Sequence, residues 1–204
     1  TYELFDGRRS ADPAPLILSL HGAGGNGPRH RRYTNFDGIA AGYDVVVAYP
    51  TAPSARWNDG RWDALGQPEK AARDDVGWLT SLVAELIAQG IADPDQIYAI
   101  GHSNGGAMVR RLTCDAPDLL KGASIVGTTI LIDFDCAGTT AIPTAYFMGT
   151  DDRIIPFDGR KTGYEGIIQQ NIGRAFSAPA SASLIAVRNG CDVARPTLLN
   201  DDPN

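Results

Sequence analysis

Gly101-His102-Ser103-Asn104-Gly105 decides the fold of this chain. An apolar stretch, Gln96-Ile97-Tyr98-Ala99-Ile100, leads into it, and Gly106-Ala107-Met108-Val109-Arg110-Arg111-Leu112, which suits a helix, leads out. Strand, sharp turn and helix together hold a nucleophilic serine clear of a sheet. A side chain at Gly101 or Gly105 would strike the neighbouring strand or helix, which is why the turn takes glycine there. The turn also sets the Asn104 N–H at a helix start, where an unpaired amide can bind a developing oxyanion.

G-x-S-x-G alone is a weak signal, so a second motif in the right order carries weight. Leu16-Ile17-Leu18-Ser19-Leu20 reads as a buried strand and runs into His21-Gly22-Ala23-Gly24-Gly25-Asn26-Gly27. A His-Gly loop after an early strand supplies the other oxyanion N–H in α/β-hydrolases. Ala23 is the expected donor, opposite Asn104. The same glycines also satisfy G-x-G-x-x-G, the dinucleotide fingerprint. That fingerprint opens an apolar helix, whereas Pro28-Arg29-His30-Arg31-Arg32 is polar and reads as irregular. It also wants an acidic residue after the next strand, but Asp44 stands before Val45-Val46-Val47-Ala48-Tyr49. The nucleotide reading is therefore set aside.

The rest of the chain alternates strand and helix. Candidate strands are 16–20, 44–49, 96–100, 123–129 and 144–148, short and apolar as strands covered on both faces should be. The clearest helix runs from about Ala72 to Gln89, with Val76, Leu79, Val83, Leu86 and Ile87 on one stripe, Asp74 and Asp75 in its first turn and Gly90 at its end. Further helices are expected after Ser103 and from about Pro179 to Arg188. This pattern gives an α/β fold with a mostly parallel central sheet and helices on both faces. Trp57-Asn58-Asp59-Gly60-Arg61-Trp62 is a polar, aromatic loop at the carboxyl end of a strand, where ligands bind in such sheets. It is expected to overhang the serine, with Trp57 as the substrate wall and Asn58 beside it. The alternative is that Trp57 and Trp62 only fill the loop's own small core.

At 204 residues, one domain spanning 1–204 is expected. A net charge of −6 disfavours nucleic acid as a partner, and no apolar run reaches membrane-spanning length. The basic run 29–32 is read as solvated loop, with a grip on acidic substrate as the alternative. The three cysteines, Cys114, Cys136 and Cys191, lack metal-ligand spacing. Cys114 and Cys136 can close a disulfide in an exported protein, or stay as two buried thiols. Cys191 is left over. The chain opens at Thr1, which fits removal of a leader.

A serine nucleophile needs a base, and the base needs an orienting carboxylate. The turn Gly149-Thr150-Asp151-Asp152-Arg153 after the last strand offers the acid. The base is harder to find. His21 belongs to the oxyanion loop, His102 adjoins the nucleophile on a turn that splays its neighbours, and His30 sits on a loop that nothing orients. The catalytic histidine is therefore expected beyond residue 204, together with the last strand of the sheet. An inactive relative is the competing explanation.

At this point the chain resembles secreted esterases of the α/β-hydrolase superfamily that include polyhydroxybutyrate depolymerase-like proteins and feruloyl and acetylxylan esterases. The resemblance rests on residues 20–26, Trp57-Asn58-Asp59-Gly60, Asp74-Asp75-Val76-Gly77, Gly101–Gly106, Gly149–Asp152 and Arg188-Asn189-Gly190-Cys191. It implies Ser103 as nucleophile and Asp152 as the acid, with Pro156 and Asp158 matching the pattern that follows. It implies hydrolysis of carboxylic esters through an acyl-enzyme, without metal or cofactor. The expected substrates are feruloyl or acetyl esters of plant polysaccharides, and the expected location is extracellular or periplasmic. Polyhydroxyalkanoates or small esters are the alternative substrates, and a non-catalytic carbohydrate-binding relative is the alternative of another class. A peptidase of this fold usually carries a gating domain, for which this length leaves no room.

Overall fold

A computed structural model describes residues 1–61, 72–131, 136, 140–159 and 175–195. Its strands are β1 (Tyr2–Asp6), β2 (Ala14–Leu20), β3 (Val46–Pro50), β4 (Ala92–His102), β5 (Gly122–Val126) and β6 (Thr144–Phe147). Its helices are α1 (Gly27–Thr34), α2 (Phe36–Ala40), α3 (Asp75–Ala88), α4 (Asn104–Asp115) and α5 (Ala178–Arg188). The strands form one sheet in the order β1-β3-β2-β4-β5-β6. All neighbours are parallel except β1, which pairs antiparallel with β3. The five expected strands and three expected helices are present, with ends shifted by a few residues.

Two elements differ from the sequence reading. β1 is an edge strand that its five residues did not announce. The basic run 29–32 is helix α1, not irregular loop. Asn26 caps it through its side chain, which accepts from Arg29 N at 2.9 Å, and proline opens its first turn. His30 is buried on it, so that residue is oriented after all.

The sheet has two unequal faces. Leu16, Leu18, Leu20, Val46, Ala48, Ile97 and Ala99 pack against Leu79, Leu82, Val83 and Leu86 of α3 and Met108, Val109 and Leu112 of α4. On the other face α2 covers Val47 and Tyr49, with Phe36 and Ala40 packed there. Helices thus lie on both faces, but among the described residues the second face is covered only at its β3 side. Trp62 lies outside the described residues.

Candidate active site

The parallel register sets the site at the carboxyl end of the central strands. Leu20 at the end of β2 pairs with Gly101 of β4, so the His-Gly loop and the serine turn leave adjacent strands side by side. Ser103 takes φ 54° and ψ −121°, a conformation that non-glycine residues avoid. Its N–H donates to the Val126 carbonyl at 2.8 Å, tying the turn to β5. A methyl group on Gly101 would overlap the Gly105 carbonyl, and one on Gly105 would overlap the Leu20 carbonyl. Both glycines are therefore required by close backbone approach.

Two N–H groups on the loops around Ser103 have no backbone partner among the described residues. Asn104 opens α4, so its N–H has no carbonyl one turn earlier to bond. The Ala23 N–H makes no backbone hydrogen bond among the described residues, whereas Gly24 N donates to the Ala55 carbonyl at 2.8 Å. The loop comes close to the serine, since a methyl on Gly22 would sit 3.4 Å from Ser103 Cβ.

His21 braces that loop. Its Nε2 accepts from Ala52 N at 3.0 Å, so its Nδ1 carries the proton and donates to the Gly22 carbonyl at 2.7 Å. Both ring nitrogens are occupied, and burial lowers its pKa. His30 is buried as well. Desolvation, then the nearby His21 and His102, hold its pKa down to about 4, so it stays neutral near pH 7. His102 is exposed, and its ring lies 6.4 Å from that of Tyr33 on α1. Among the described residues none of the three bonds the Ser103 hydroxyl.

Asp152 lies in the turn after β6, half-buried. One carboxylate oxygen accepts from Ile154 N at 2.8 Å and Ile155 N at 2.9 Å. The ends of β4, β5 and β6 are level, with His102 opposite Val126 and Val126 opposite Phe147. The turns that carry Ser103 and Asp152 thus leave the same, carboxyl end of the sheet, from strands two apart.

Trp57 corrects the sequence reading. It is fully buried and cannot form an open substrate wall. Its backbone N–H donates to Asn104 Oδ1 at 2.8 Å, and its indole N–H donates to the His21 carbonyl at 2.9 Å. Asn58 is corrected likewise. It is 1% exposed, with its N–H on Asp75 Oδ2 at 2.6 Å and its side-chain amide on the Arg73 carbonyl at 2.7 Å. Residues 57 and 58 of the loop are clasped between the starts of α3 and α4. Asp59, inside that clasp, accepts from Asn104 Nδ2 at 2.6 Å and pairs with Arg61. Burial raises the Asp75 pKa, while its bond from Asn58 and the charge of Arg73 oppose that. Cys114 and Cys136 form a disulfide, and Cys191 is free and exposed.

The sequence profile of the prolyl oligopeptidase family matches residues 41–159. The chain belongs to the prolyl oligopeptidase family. It is 34% identical over 149 residues to the putative esterase NocK of Nocardia uniformis, covering 72% of this chain and 43% of that protein. It is 31% identical over 144 residues to the poly(3-hydroxybutyrate) depolymerase of Ralstonia pickettii, covering 64% and 30%. Feruloyl esterase B of Piromyces equi matches at 24% over 187 residues, covering 87% and 33%. The chain thus spans less than half the length of these relatives. Among solved structures, a phospholipase/carboxylesterase from Dyadobacter fermentans superposes with TM-score 0.61 at 18% identity over 99% of this chain and 91% of that one. A Bacillus cereus carboxylesterase gives 0.56 at 17% over 93% and 80%. The fold is that of the α/β-hydrolases, as expected.

Proposed function

We propose that this family member is a serine carboxylic-ester hydrolase acting through an acyl-enzyme. The observation that supports it best is the strained Ser103 turn set beside the His-Gly loop on the adjacent strand. Ser103 Oγ attacks the ester carbonyl and gives its proton to a base. The Ala23 and Asn104 N–H groups hold the oxyanion, each worth roughly 3 kcal/mol where such donors have been removed. The base returns the proton to the leaving alkoxide, and water then releases the acid. Asp152 orients the base, one of its oxygens being fixed by two backbone amides.

Among the described residues, no histidine bonds the Ser103 hydroxyl. His21 is excluded by its two bonds and His30 by its weak basicity. Feruloyl or acetyl esters of plant polysaccharide are the substrates favoured by similarity to feruloyl esterases. Polyhydroxyalkanoate or small esters are the second choice, favoured by similarity to the depolymerase. The disulfide supports an exported protein. Among the described residues, no helix is long and apolar enough to cross a membrane. The acyl-transfer steps need no metal or cofactor.

Labelling of the full-length protein by a fluorophosphonate, lost in Ser103→Ala, tests the chemistry. No labelling of the wild type moves the protein to a non-catalytic carbohydrate-binding role. Rates on methyl ferulate, p-nitrophenyl acetate, hydroxybutyrate oligomers and a peptide p-nitroanilide then rank the substrates. Fastest cleavage of the anilide would make it a peptidase, as its family's name suggests, and overturn the ester assignment.

A further inference from the structure

Trp57 touches both halves of the candidate oxyanion hole. Its N–H donates to Asn104 Oδ1 at 2.8 Å and its carbonyl accepts from Asn104 Nδ2 at 3.2 Å. This two-bond clamp couples the Asn104 side chain to the Trp57 backbone as one strand is coupled to another. Asp59 takes the same Nδ2 at 2.6 Å, and Arg61 holds Asp59 through Nε at 2.8 Å. On the other side the indole N–H donates to the His21 carbonyl at 2.9 Å, two residues before Ala23. The ring is fully buried, 5.1 Å from that of His21 and 6.1 Å from that of Trp78.

We infer that Trp57 is a positioning residue that fixes the spacing between the Ala23 and Asn104 N–H donors. The inference rests on the esterase reading above and gives the buried loop a task in that site. Two donors on different loops serve one oxyanion only if both lie within about 2.7–3.1 Å of it. Strand pairing of Leu20 with Gly101 holds the roots of the two loops together, and Trp57 adds bonds to both loops further out. No substrate contact is required of it. The interaction is directional: the indole N–H is the only bond from its side chain to the His-Gly segment, so removing that proton frees one donor relative to the other.

Trp57→Phe in the full-length protein is the test, because it keeps a ring and both backbone bonds and loses the indole N–H. The expected result is a fall of about tenfold or more in kcat on p-nitrophenyl acetate, with KM held within about twofold. Affinity for a trifluoromethyl ketone, which forms the oxyanion on the enzyme, should fall by the same factor. Amide hydrogen exchange should rise in residues 21–25, while residues 103–107 keep their protection because both backbone bonds to Asn104 remain. Trp78→Phe is the packing control, since Trp78 stacks on Trp57 from α3. It should lower the melting temperature yet leave kcat and ketone affinity within about twofold. Unchanged kcat and ketone affinity in Trp57→Phe overturns the inference. So does a loss that Trp78→Phe reproduces, or exchange in residues 21–25 that does not rise. A wild type that neither labels nor turns over sinks the esterase reading instead, and exchange in residues 21–25 still decides whether the Trp57 indole holds the His-Gly segment in place.

Discussion

Ser103 holds a backbone conformation, φ 54° and ψ −121°, that glycine adopts freely and other residues do not. Such strain costs about 1–3 kcal/mol, and it persists because Gly101, Gly105 and the Val126 carbonyl fix the turn from three sides. Ser103→Gly should therefore stabilise the protein while ending fluorophosphonate labelling. The strain relieved exceeds the 0.4–1 kcal/mol or so that glycine adds to unfolded-chain entropy, leaving a net gain of about 1 kcal/mol in urea unfolding. Ser103→Ala keeps the strain, loses labelling and should unfold near the wild-type midpoint. Equal stability of the glycine and alanine variants would mean that the turn is not strained. His30 gives a second residue-scale prediction. Burial and two neighbouring histidines hold its pKa to about 4, against about 6.5 in an unfolded chain. Between those values the unfolded state binds a proton that the folded state refuses. Stability is thus complete above about pH 6.5 and falls as pH drops towards 4, by at most about 1.4 kcal/mol per pH unit for one proton. His30→Gln should flatten that slope in melts run from pH 7 to pH 4.5, and an unchanged slope would assign the protons elsewhere, His21 first.

Elements differ in how plainly the sequence announces them. The disulfide ties α4 to the segment after β5 across a separation of 22 residues. A loop of that length restricts the unfolded chain by about 3 kcal/mol in the chain-entropy picture. The paired change Cys114→Ala with Cys136→Ala should therefore lower unfolding free energy by about that amount, with the wild type under reductant behaving alike. A loss below about 1 kcal/mol would mean that the link adds little beyond native packing. The parallel strands and α3 were legible because apolar runs and a 3.6-residue stripe report burial directly. α1 was misread because polarity was weighed above capping: Asn26 and Pro28 mark a helix start, while only Gly27 and His30 are buried on it. The five residues of β1 carry no such signal, because an edge strand answers to its partner β3 rather than to its own pattern. The turn at Ser103 was legible because its motif is local, and so were the glycines around it. Trp57 was not, because its burial depends on Asn104, 47 residues away, and composition cannot tell an aromatic that meets solvent from one that meets a distant amide.

At the scale of the whole molecule the two sheet faces are unequal. One buries its apolar residues under α3 and α4. The other carries a trough of about 880 Å³ running from α2 across β4 to β6, lined by Ile17, Ile39, Tyr43, Tyr98 and Ile100 among others. Tyr43 is 74% exposed and Ile39 58%. Among the described residues, Tyr98 of β4 is thus left exposed on that second face. The 204-residue chain should bind a hydrophobic dye such as anilinonaphthalene sulfonate while fully folded. Ile39→Lys with Tyr43→Lys should cut that fluorescence by half or more without lowering the melting temperature, since neither side chain lies in a strand. Dye binding that appears only as the protein melts would show the face to be covered in solution, and titrating the chain over a concentration series would then separate cover by a second copy, which dilutes away, from cover within one molecule, which does not.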